Sequence, residues 1–361
     1  MQSTKTEERT TAAQGGASSP QLQRVRDKKV KELISDKRRL VEVPYTASLA
    51  DTMNTLIANG VMAVPVAAPP GQWIGAGGSM ILESDKQTGA VRKHYIGMVT
   101  MLDFLAHIAG NHVEPAAGGE DGNDLDRQMQ TPVSSVIGHC LETLSLWTLN
   151  INTSILDCME VFSKGIHRAL VPVDGHLGKV AGVELNESAS SYRMVTQMDL
   201  LKLLKAHEHE LEGILTRRVK ELGAMSDVVF GITNKTKVID AIKSMNMASL
   251  HAVPIVESTD GTVEKDHSQL INAKDRKIVG TFSATDLRGC TPMHEATCLR
   301  TSTRELIICR PESLLGEVVD KVINNHVHRV WVVDEKGLLV GVASLTDLIR
   351  VIRAWMLLGP A

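Results

Sequence analysis

Four short motifs of the form Ser/Thr-x-x-Asp recur along the chain, each at the end of a strand-like run. Their residues are Thr100 and Asp103, Thr196 and Asp199, Ser283 and Asp286, and Ser344 and Asp347. A hydroxyl at this position caps a following helix, and an acid three residues later reaches back to it, which contributes about 1 kcal/mol. The helix N-terminus also offers free N–H groups to an anion, and the carboxylate can accept both hydroxyls of a ribose. Each motif therefore predicts a helix cap, half of a nucleotide site, or both.

A phosphate bound at such a helix end needs cations, and two matched His-Arg pairs supply them. The pairs are His167-Arg168 and His328-Arg329. Arginine presents a planar fork that suits phosphate, and histidine can add a hydrogen bond. The corresponding places before the first and third motifs, which lack an arginine, are Met62-Ala63 and His251-Ala252. We therefore predict phosphate ligands before the second and fourth motifs.

Motifs of the common enzyme classes are absent from the sequence or incomplete. The stretch at 74–78 resembles part of a Gly-rich loop but lacks the final glycine and the following helix. No Walker loop or Asp-Phe-Gly is present, and neither His-Arg pair is followed by Asp. The five cysteines form no C-x-x-C pair and are predicted to be small buried side chains, while His207 and His209 lack a partner at metal-ligand spacing. The sequence therefore predicts a binding protein without catalytic residues or metal ligands.

Composition and charge narrow the class further. The chain of 361 residues is 43% hydrophobic and 22% charged, as is usual for a soluble globular protein. A net charge of -3 argues against a nucleic-acid partner, which usually requires a strong basic excess. No apolar run reaches the length of a membrane span, and the first twenty residues are polar. We therefore predict an intracellular protein of the cytoplasm, the nucleus or both, with neither nucleic-acid nor membrane partners.

The motifs belong to a repeated unit that is most regular at 308–353. There a strand-like start leads to a helix with apolar residues on one side, followed by two short β-rich runs joined by a turn at 334–337. Ser344 then opens a second helix. A β-α-β-β-α unit of this size exposes an apolar sheet face and needs a partner. The same order recurs four times, with the extra length in polar insertions and linkers, which indicates four copies of one unit.

The repeats define the predicted organisation of the chain. We predict a disordered tail at 1–20, a basic amphipathic helix at 21–40, repeats at 41–110, 132–222, 223–290 and 306–356, an acidic Gly-rich linker at 111–131, and a loop at 291–305. The basic residues of the N-terminal helix are Lys28, Lys29, Lys31, Lys37, Arg38 and Arg39. They are compatible with a nuclear signal, a patch for an acidic partner, or a solvated helix face.

The four units resemble cystathionine-β-synthase (CBS) repeats, which pair into Bateman modules. Four repeats with His-Arg in the second and fourth resemble the gamma subunit of AMP-activated protein kinase. The runs at 38–45, 69–80 and 97–103 resemble its plant branch, the gamma-like subunits of the sucrose-non-fermenting-related kinase. The resemblance covers about residues 41–353.

The resemblance implies an α/β fold in which four β-α-β-β-α units pair into two Bateman modules and form a pseudo-symmetric disk. It implies adenine nucleotide (AMP, ADP or ATP) as a regulatory ligand between paired repeats, with no other cofactor. The four motif aspartates would hold ribose hydroxyls, the four capping residues would lie near the phosphates, and the two His-Arg pairs would bind the phosphates. The family has arginines in the first and third repeats, where this chain has Met62 and His251. Each missing cation is expected to cost roughly ten- to a hundredfold in affinity.

Two functions are compatible with these expectations. The first is a non-catalytic gamma-like subunit of a heterotrimeric energy-sensing Ser/Thr kinase, with a catalytic alpha subunit and a beta scaffold subunit as partners. The second is a kinase-independent CBS scaffold whose sites are vestigial or bind another adenosine ligand. An enzyme of nucleotide metabolism with a regulatory Bateman module is a distant third, because the repeats leave no room for a catalytic domain. The sequence leaves open which nucleotide binds, at how many sites, and whether it activates or inhibits.

Overall fold

The computed structural model describes residues 25–68, 94–111, 122–137, 146–173, 177–180, 183–186, 191–258, 268–286 and 305–359. The predicted tail at 1–20, the Gly-rich stretch at 74–78 and all but the last residue of the predicted loop at 291–305 lie outside the described residues. Cys140, Cys290 and Cys298 also lie outside them.

The described elements follow one another in the repeated order. After α1 (Lys31–Ile34), repeat 1 has β1 (Val43–Pro44), α2 (Leu49–Ala58), β2 (Ala63–Ala67), β3 (Tyr95–Thr100) and α3 (Met101–Asn111). After α4 (Gly122–Met129), repeat 2 has α5 (Ile155–Ser163), β4 (Arg168–Pro172), β5 (Leu177–Val180), β6 (Val183–Asn186), β7 (Tyr192–Thr196) and α6 (Gln197–Ala206). After α7 (Glu212–Leu215), repeat 3 has β8 (Phe230–Thr233), α8 (Val238–Met247), β9 (Ala252–Val256), β10 (Ile271–Asn272) and β11 (Ile278–Ser283). Repeat 4 has β12 (Ile308–Cys309), α9 (Leu315–Asn324), β13 (Arg329–Val333), β14 (Leu339–Ser344) and α10 (Leu345–Leu358).

The sheets of the repeats share one topology. The first strand is parallel to the second, and the second is antiparallel to the third, in repeats 1, 3 and 4. In repeat 2 an isolated parallel bridge from Thr148 to Leu170 takes the place of the first strand, and β4 is antiparallel to β7. The residues after Asp286 that were predicted to form the second helix of repeat 3 lie outside the described part of the chain.

Two cores built mainly from helices join the repeats in pairs. One buried cluster contains Phe104 of repeat 1 and Met245 of repeat 3, each 0% exposed. A second contains Phe162 of repeat 2 and Ile349 of repeat 4, also 0% exposed. The apolar helix faces predicted from the sequence are therefore covered by a helix of another repeat, which removes their apolar surface from water.

The sheets form the other two contacts. Between repeats 1 and 2, the rings of Tyr95 and Tyr192 meet edge to face, with centroids 5.5 Å apart. Between repeats 3 and 4, the indole N–H of Trp331 donates to the hydroxyl of Thr281 at 2.7 Å within a buried apolar cluster. Sheet contacts thus pair repeat 1 with 2 and repeat 3 with 4, and helix contacts pair 1 with 3 and 2 with 4. This closed ring confirms the predicted disk of two Bateman modules.

The helix predicted at 21–40 is interrupted in the described residues, where residues 28–30 separate helical residues 25–27 from α1 (Lys31–Ile34). The N–H groups of Val30 and Lys31 donate to the carbonyls of Thr153 and Ile151, both at 2.9 Å. The backbone therefore pairs with the loop before α5, and a continuous helix does not form.

The linker predicted at 111–131 contains regular structure near its end. Its described residues include α4, whose last turn is followed by Thr131. The carbonyl of Thr131 accepts the N–H of Leu49 at 3.0 Å, and Pro132 forms a bridge with Ser48. These bonds hold the end of the linker against the start of α2.

The first helix of every repeat ends with a residue in the left-handed backbone region. These residues are Gly60 (φ 59°), Gly165 (φ 91°), Ser249 (φ 53°) and His326 (φ 52°). A side chain in this region costs about 1–2 kcal/mol, whereas glycine adopts it freely but loses about 0.5–1 kcal/mol more conformational entropy on folding. Repeats 3 and 4 therefore carry backbone strain that repeats 1 and 2 avoid.

We expect Ser249→Gly and His326→Gly each to stabilise the protein by about 0.5–1 kcal/mol, because both side chains are exposed and the strain that is relieved exceeds the extra entropy that glycine loses. Urea unfolding measures the change. The control is Asn325→Gly, one residue earlier, where φ is -95° and glycine brings no relief. An equal gain at Asn325 would contradict the role of the left-handed position.

Two of the predicted buried cysteines lie in the described residues, and both are buried as predicted. Cys158 faces the core from α5 and Cys309 from β12. Burial raises the pKa of Cys158 to about 12 and that of Cys309 to about 11. At about pH 8 roughly 0.1% or less of either thiol is ionised. We expect iodoacetamide to label neither residue in the folded protein and both in denaturant, as read by peptide mass spectrometry; rapid native labelling would contradict the burial.

Candidate functional site

In each repeat the strand pair places the first hairpin residue beside the hydroxyl that precedes the second helix. The cross-strand pairs are Ala63 with Thr100, Arg168 with Thr196, Ala252 with Ser283, and Arg329 with Ser344. Directly paired residues have their Cβ atoms about 5 Å apart. Repeats 2 and 4 thus carry an arginine next to the N-terminus of a helix, and repeats 1 and 3 carry an alanine at the same place.

The caps of repeats 2 and 4 are complete. Asp199 Oδ2 accepts the N–H and the hydroxyl of Thr196, both at 2.8 Å. Asp347 Oδ2 accepts the N–H and the hydroxyl of Ser344 at 3.1 and 2.6 Å. Each hydroxyl also accepts the N–H of its aspartate at 3.3 Å, which completes a capping box. One oxygen of each carboxylate therefore holds the helix start.

The motifs of repeats 1 and 3 differ from this arrangement. In repeat 1, the N–H and the hydroxyl of Thr100 donate to Asp103 Oδ2 at 2.8 and 2.7 Å, but Asp103 is 0% exposed. In repeat 3, Asp286 Oδ2 accepts the N–H of Ser283 at 2.9 Å, while the Ser283 hydroxyl lies 3.4 Å from the carbonyl oxygen of His251. A ligand reaches the carboxylate of repeat 1 only if the surrounding side chains move.

A backbone hydrogen bond ties each His-Arg pair to the helix that follows. The N–H of Gln197, the first residue of α6, donates to the carbonyl of His167 at 3.2 Å, and the N–H of Leu345 donates to that of His328 at 3.1 Å. The first N–H groups of a helix have no partner within it, so these bonds satisfy one of them at each site. The capping box engages the N–H groups of the cap and third positions, so the N–H of the second helix residue, Met198 or Thr346, and the positive end of the helix dipole are what the helix offers beside the arginine.

The starts of β4, β9 and β13 meet in space. The rings of His167 and His251 lie 6.1 Å apart between centroids, with their planes at 77°. Arg329 Nη1 donates to the carbonyl of Ala252 at 2.8 Å. The cation of repeat 4 thus reaches the place where repeat 3 has an alanine. The structure brings the predicted phosphate ligands of repeats 2 and 4 to the same region of the ring.

Arg329 is the most perturbed cation of the site. Burial lowers its pKa to about 10, because a desolvated guanidinium loses the hydration that stabilises its charge. It stays charged at neutral pH. The Ala252 carbonyl uses one of its five N–H donors, and an anion that contacted the others would replace the missing solvation.

The second oxygen of two motif aspartates also has a cationic partner. Asp347 Oδ1 accepts from Arg350, one turn along the same helix, at 3.0 Å. Asp199 Oδ1 accepts from Lys37 Nζ at 2.5 Å, and Lys37 belongs to the segment before repeat 1. The sequence placed Lys37 only in a basic cluster and gave no sign of this contact, because partners 162 residues apart leave no local pattern.

A buried glutamine links the helix starts of repeats 2 and 4. The Gln197 side chain, 4% exposed, donates to the carbonyl of Phe162 at 3.0 Å and to the hydroxyl of Thr346 at 2.8 Å. Sequence reasoning missed this bond; a polar residue on the apolar side of α6 was the available signal. The bond couples the two helix N-termini that carry the His-Arg sites.

Three other features of the described residues bear on possible binding sites. A surface depression of about 440 Å³ at the far end of α6 is lined by Lys28, Ala206, His207, His209 and Glu210. Among the residues that the structure covers, no group of three or more His, Cys, Asp or Glu could hold a metal ion. None of the helices in this part of the chain is both long and apolar enough to cross a membrane.

A ring of four repeats that share this strand topology defines a CBS-repeat protein, and the CBS domain family matches residues 299–354. The fold is similar to that of protein MJ1225 from Methanocaldococcus jannaschii, with a TM-score of 0.58 and 15% identity over 90% of this chain and 99% of that one. The sequence is 57% identical over 341 residues to the SNF1-related protein kinase regulatory subunit gamma-like PV42a of Arabidopsis thaliana, covering 90% of this chain and 94% of that protein.

Two further relatives extend the comparison. PV42b of Arabidopsis thaliana is 52% identical over 352 residues, covering 92% of this chain and 96% of that protein. The 5'-AMP-activated protein kinase subunit gamma-3 of Sus scrofa is 25% identical over 313 residues, covering 85% of this chain and 51% of that protein. The chain therefore belongs to the gamma-like regulatory subunits of SNF1-related protein kinase, which are non-catalytic CBS proteins.

Proposed function

We propose that the protein is a gamma-like subunit of a heterotrimeric energy-sensing Ser/Thr kinase and that it binds adenine nucleotides between paired CBS repeats. Its partners in this proposal are a catalytic alpha subunit and a beta scaffold subunit. The names of its relatives support a kinase complex, and the residues of repeats 2 and 4 support a nucleotide.

One observation carries the nucleotide part of the proposal. In repeats 2 and 4 an arginine lies directly across the strand pair from the capping hydroxyl of a helix. This arrangement brings a guanidinium, a helix N-terminus and a carboxylate together at one end of the strand pair. The first two attract phosphate, and the third accepts ribose hydroxyls, so that a nucleoside phosphate satisfies all three. The adenine base is inferred from the family and from no residue of the described site.

Regulation would follow from linkage. A nucleotide shifts a bound kinase only if its affinity differs between two arrangements of the complex. Because four contacts close the ring, a nucleotide that displaces the repeats at one boundary also displaces them at the neighbouring boundaries. In this way the bound nucleotide would alter the surface that the kinase contacts. A tenfold difference in affinity would supply about 1.4 kcal/mol of bias.

A second function, a kinase-independent scaffold with vestigial sites, is favoured by a separate set of observations. Ala63 and Ala252 remove the cation from repeats 1 and 3. In repeats 2 and 4 the second carboxylate oxygen, Oδ1 of Asp199 and of Asp347, already accepts a hydrogen bond from a cationic side chain. These features weaken nucleotide binding at every repeat without altering the fold.

Co-purification separates the two functions. The tagged protein is co-expressed with kinase alpha and beta subunits from the same plant lineage and passed over a sizing column. A stoichiometric complex is the expected result, and elution of this protein alone beside an alpha–beta complex would favour the scaffold.

Calorimetric titration with AMP, ADP and ATP tests nucleotide binding, and no heat of binding at millimolar ligand would overturn the nucleotide proposal. The predicted intracellular location and the lack of nucleic-acid and membrane partners stay predictions.

A further inference from the structure

The segment before repeat 1 is docked on repeat 2. Val25 and Val30 are 0% exposed and Leu33 is 7% exposed, and all three belong to the core that joins repeats 2 and 4. The N–H of Val25 donates to the buried carboxylate of Glu210 at 3.1 Å. The upstream part of the segment is therefore fixed by apolar burial and does not depend on the nucleotide site.

The same segment then crosses to repeat 1. Arg38 Nη2 donates to the carbonyl of Asn59 at 2.7 Å, and Glu42 accepts from the hydroxyl of Tyr95 at 2.5 Å. Lys37 lies between these anchors and the buried part. Residues 37–42 thus run from repeat 2 to repeat 1, the two repeats whose sheets form one Bateman module.

Two bonds hold Lys37 at the motif of repeat 2. Its ammonium contacts Asp199 Oδ1 at 2.5 Å, and its carbonyl accepts from Arg193 Nε at 3.1 Å. Asp199 Oδ2 is already engaged by Thr196. Lys37 therefore occupies the oxygen that remains for a ribose hydroxyl.

The second Bateman module lacks this contact. Lys37 lies eleven residues before the N-cap residue Ser48, and Ser226 lies eleven residues before the equivalent residue Lys237. Ser226 exchanges backbone hydrogen bonds with Val342, at 2.8 and 2.9 Å, and its hydroxyl accepts the N–H of Val228 at 3.3 Å. A lysine at this position is thus a feature of the first module alone and is not required by the fold.

We propose that Lys37 is an intramolecular competitor for the nucleotide half-site of repeat 2. This inference rests on the proposed nucleotide-binding function. A ribose that binds Asp199 must break the Lys37–Asp199 ion pair, so ligand binding at repeat 2 releases residues 37–42 from the module boundary. Conversely, the docked segment lowers the affinity of that site.

The test is AMP titration of the full-length protein by calorimetry, with four forms compared. Lys37→Ala removes the competing charge and Lys37→Arg retains it. Lys202→Ala removes an exposed lysine of α6, the helix that begins at the motif, and leaves the motif unchanged. We expect Lys37→Ala to tighten AMP binding at one site by about three- to tenfold, with the other two near wild type. Trypsin digestion gives an independent reading, since cleavage after Arg38 and Arg39 should accelerate with AMP in the wild type and already be fast in Lys37→Ala.

The outcomes separate this inference from the proposed function. If AMP binds and Lys37→Ala behaves as the wild type, or binds more weakly, Lys37 is no competitor and the inference fails alone. If AMP binds only to Lys37→Ala, the segment closes the site in the resting protein and the inference stands. If AMP binds to none of the forms, the nucleotide function fails and the inference fails with it.

Discussion

Replacing Arg168 and Arg329 together with alanine is expected to abolish measurable AMP binding and to leave the fold intact. Each arginine lies beside a capping hydroxyl at a helix N-terminus, where a phosphate would bind. The loss of one such cation costs roughly ten- to a hundredfold in affinity at its own site, so the double change weakens both sites by that factor. Calorimetry of the single and double variants measures the effect.

The single variants should differ. Arg329 is desolvated, which lowers its pKa to about 10, so it gains more from a phosphate than a hydrated arginine does. We expect Arg329→Ala to lose more affinity than Arg168→Ala. Its bond to Ala252 is lost as well, at a cost to stability of about 1 kcal/mol.

The matched control for this prediction is Arg310→Ala, which removes an exposed arginine of the same repeat away from the motif. Its affinity for AMP should equal that of the wild type. Arg329→Lys keeps the charge but not the planar fork, and it should recover only part of the affinity. Unchanged binding in the double variant would show that the arginines are not phosphate ligands.

Repetition made most of the fold predictable from sequence. A single Ser/Thr-x-x-Asp motif is compatible with any helix cap, but four copies after strand-like runs specify one supersecondary unit. The capping geometry follows from local chemistry, and the structure has it at Thr196 and Ser344 as the spacing indicates. The equivalence of Arg168 and Arg329 was also readable, because each follows a histidine at the start of the first hairpin strand of its repeat.

Contacts between distant segments were not predictable in the same way. The apolar faces of α3 and α8 show that each needs a partner but not that they cover each other. Polar contacts such as Lys37 to Asp199 depend on where the ring brings the segments. The N-terminal helix was overestimated for a related reason, because its apolar spacing fits a helix while its backbone finds partners in another loop.

The polar contacts between repeats give the ring a means of coupling its sites. Gln197 joins the helix starts of repeats 2 and 4, and Arg329 joins repeats 4 and 3. Both contacts involve groups within one or two residues of a motif or a His-Arg pair. Under the proposed function, a nucleotide that moved one helix N-terminus would disturb bonds to the neighbouring repeat, and a difference in contacts between two states is what regulation requires.

Gly341→Ala is expected to destabilise the protein by about 2–3 kcal/mol, as an overpacked core position does. A Cβ atom at Gly341 would lie 2.4 Å from Met225 Cε and 2.6 Å from the carbonyl oxygen of Ser226. The methionine can turn away, but the Ser226 carbonyl is held by the N–H of Val342 at 2.9 Å. The backbone of the segment before repeat 3 must therefore shift.

The matched control is Gly280→Ala, because both glycines lie three residues before the capping serine of their repeat. A Cβ at Gly280 would meet Ile255 Cδ1 at 3.4 Å, an ordinary contact, so little change in the urea midpoint is expected there. Equal destabilisation by the two changes would show that the close approach of Ser226 is not what excludes a side chain at residue 341.

Repeat 2 has Arg193 at the place that corresponds to Gly341. Its side chain donates to the Lys37 carbonyl at 3.1 Å instead of colliding with it. In the second module, the segment before repeat 3 packs against Gly341. In the first module, the segment before repeat 1 is held by Arg193, and this contact places Lys37 beside the motif of repeat 2.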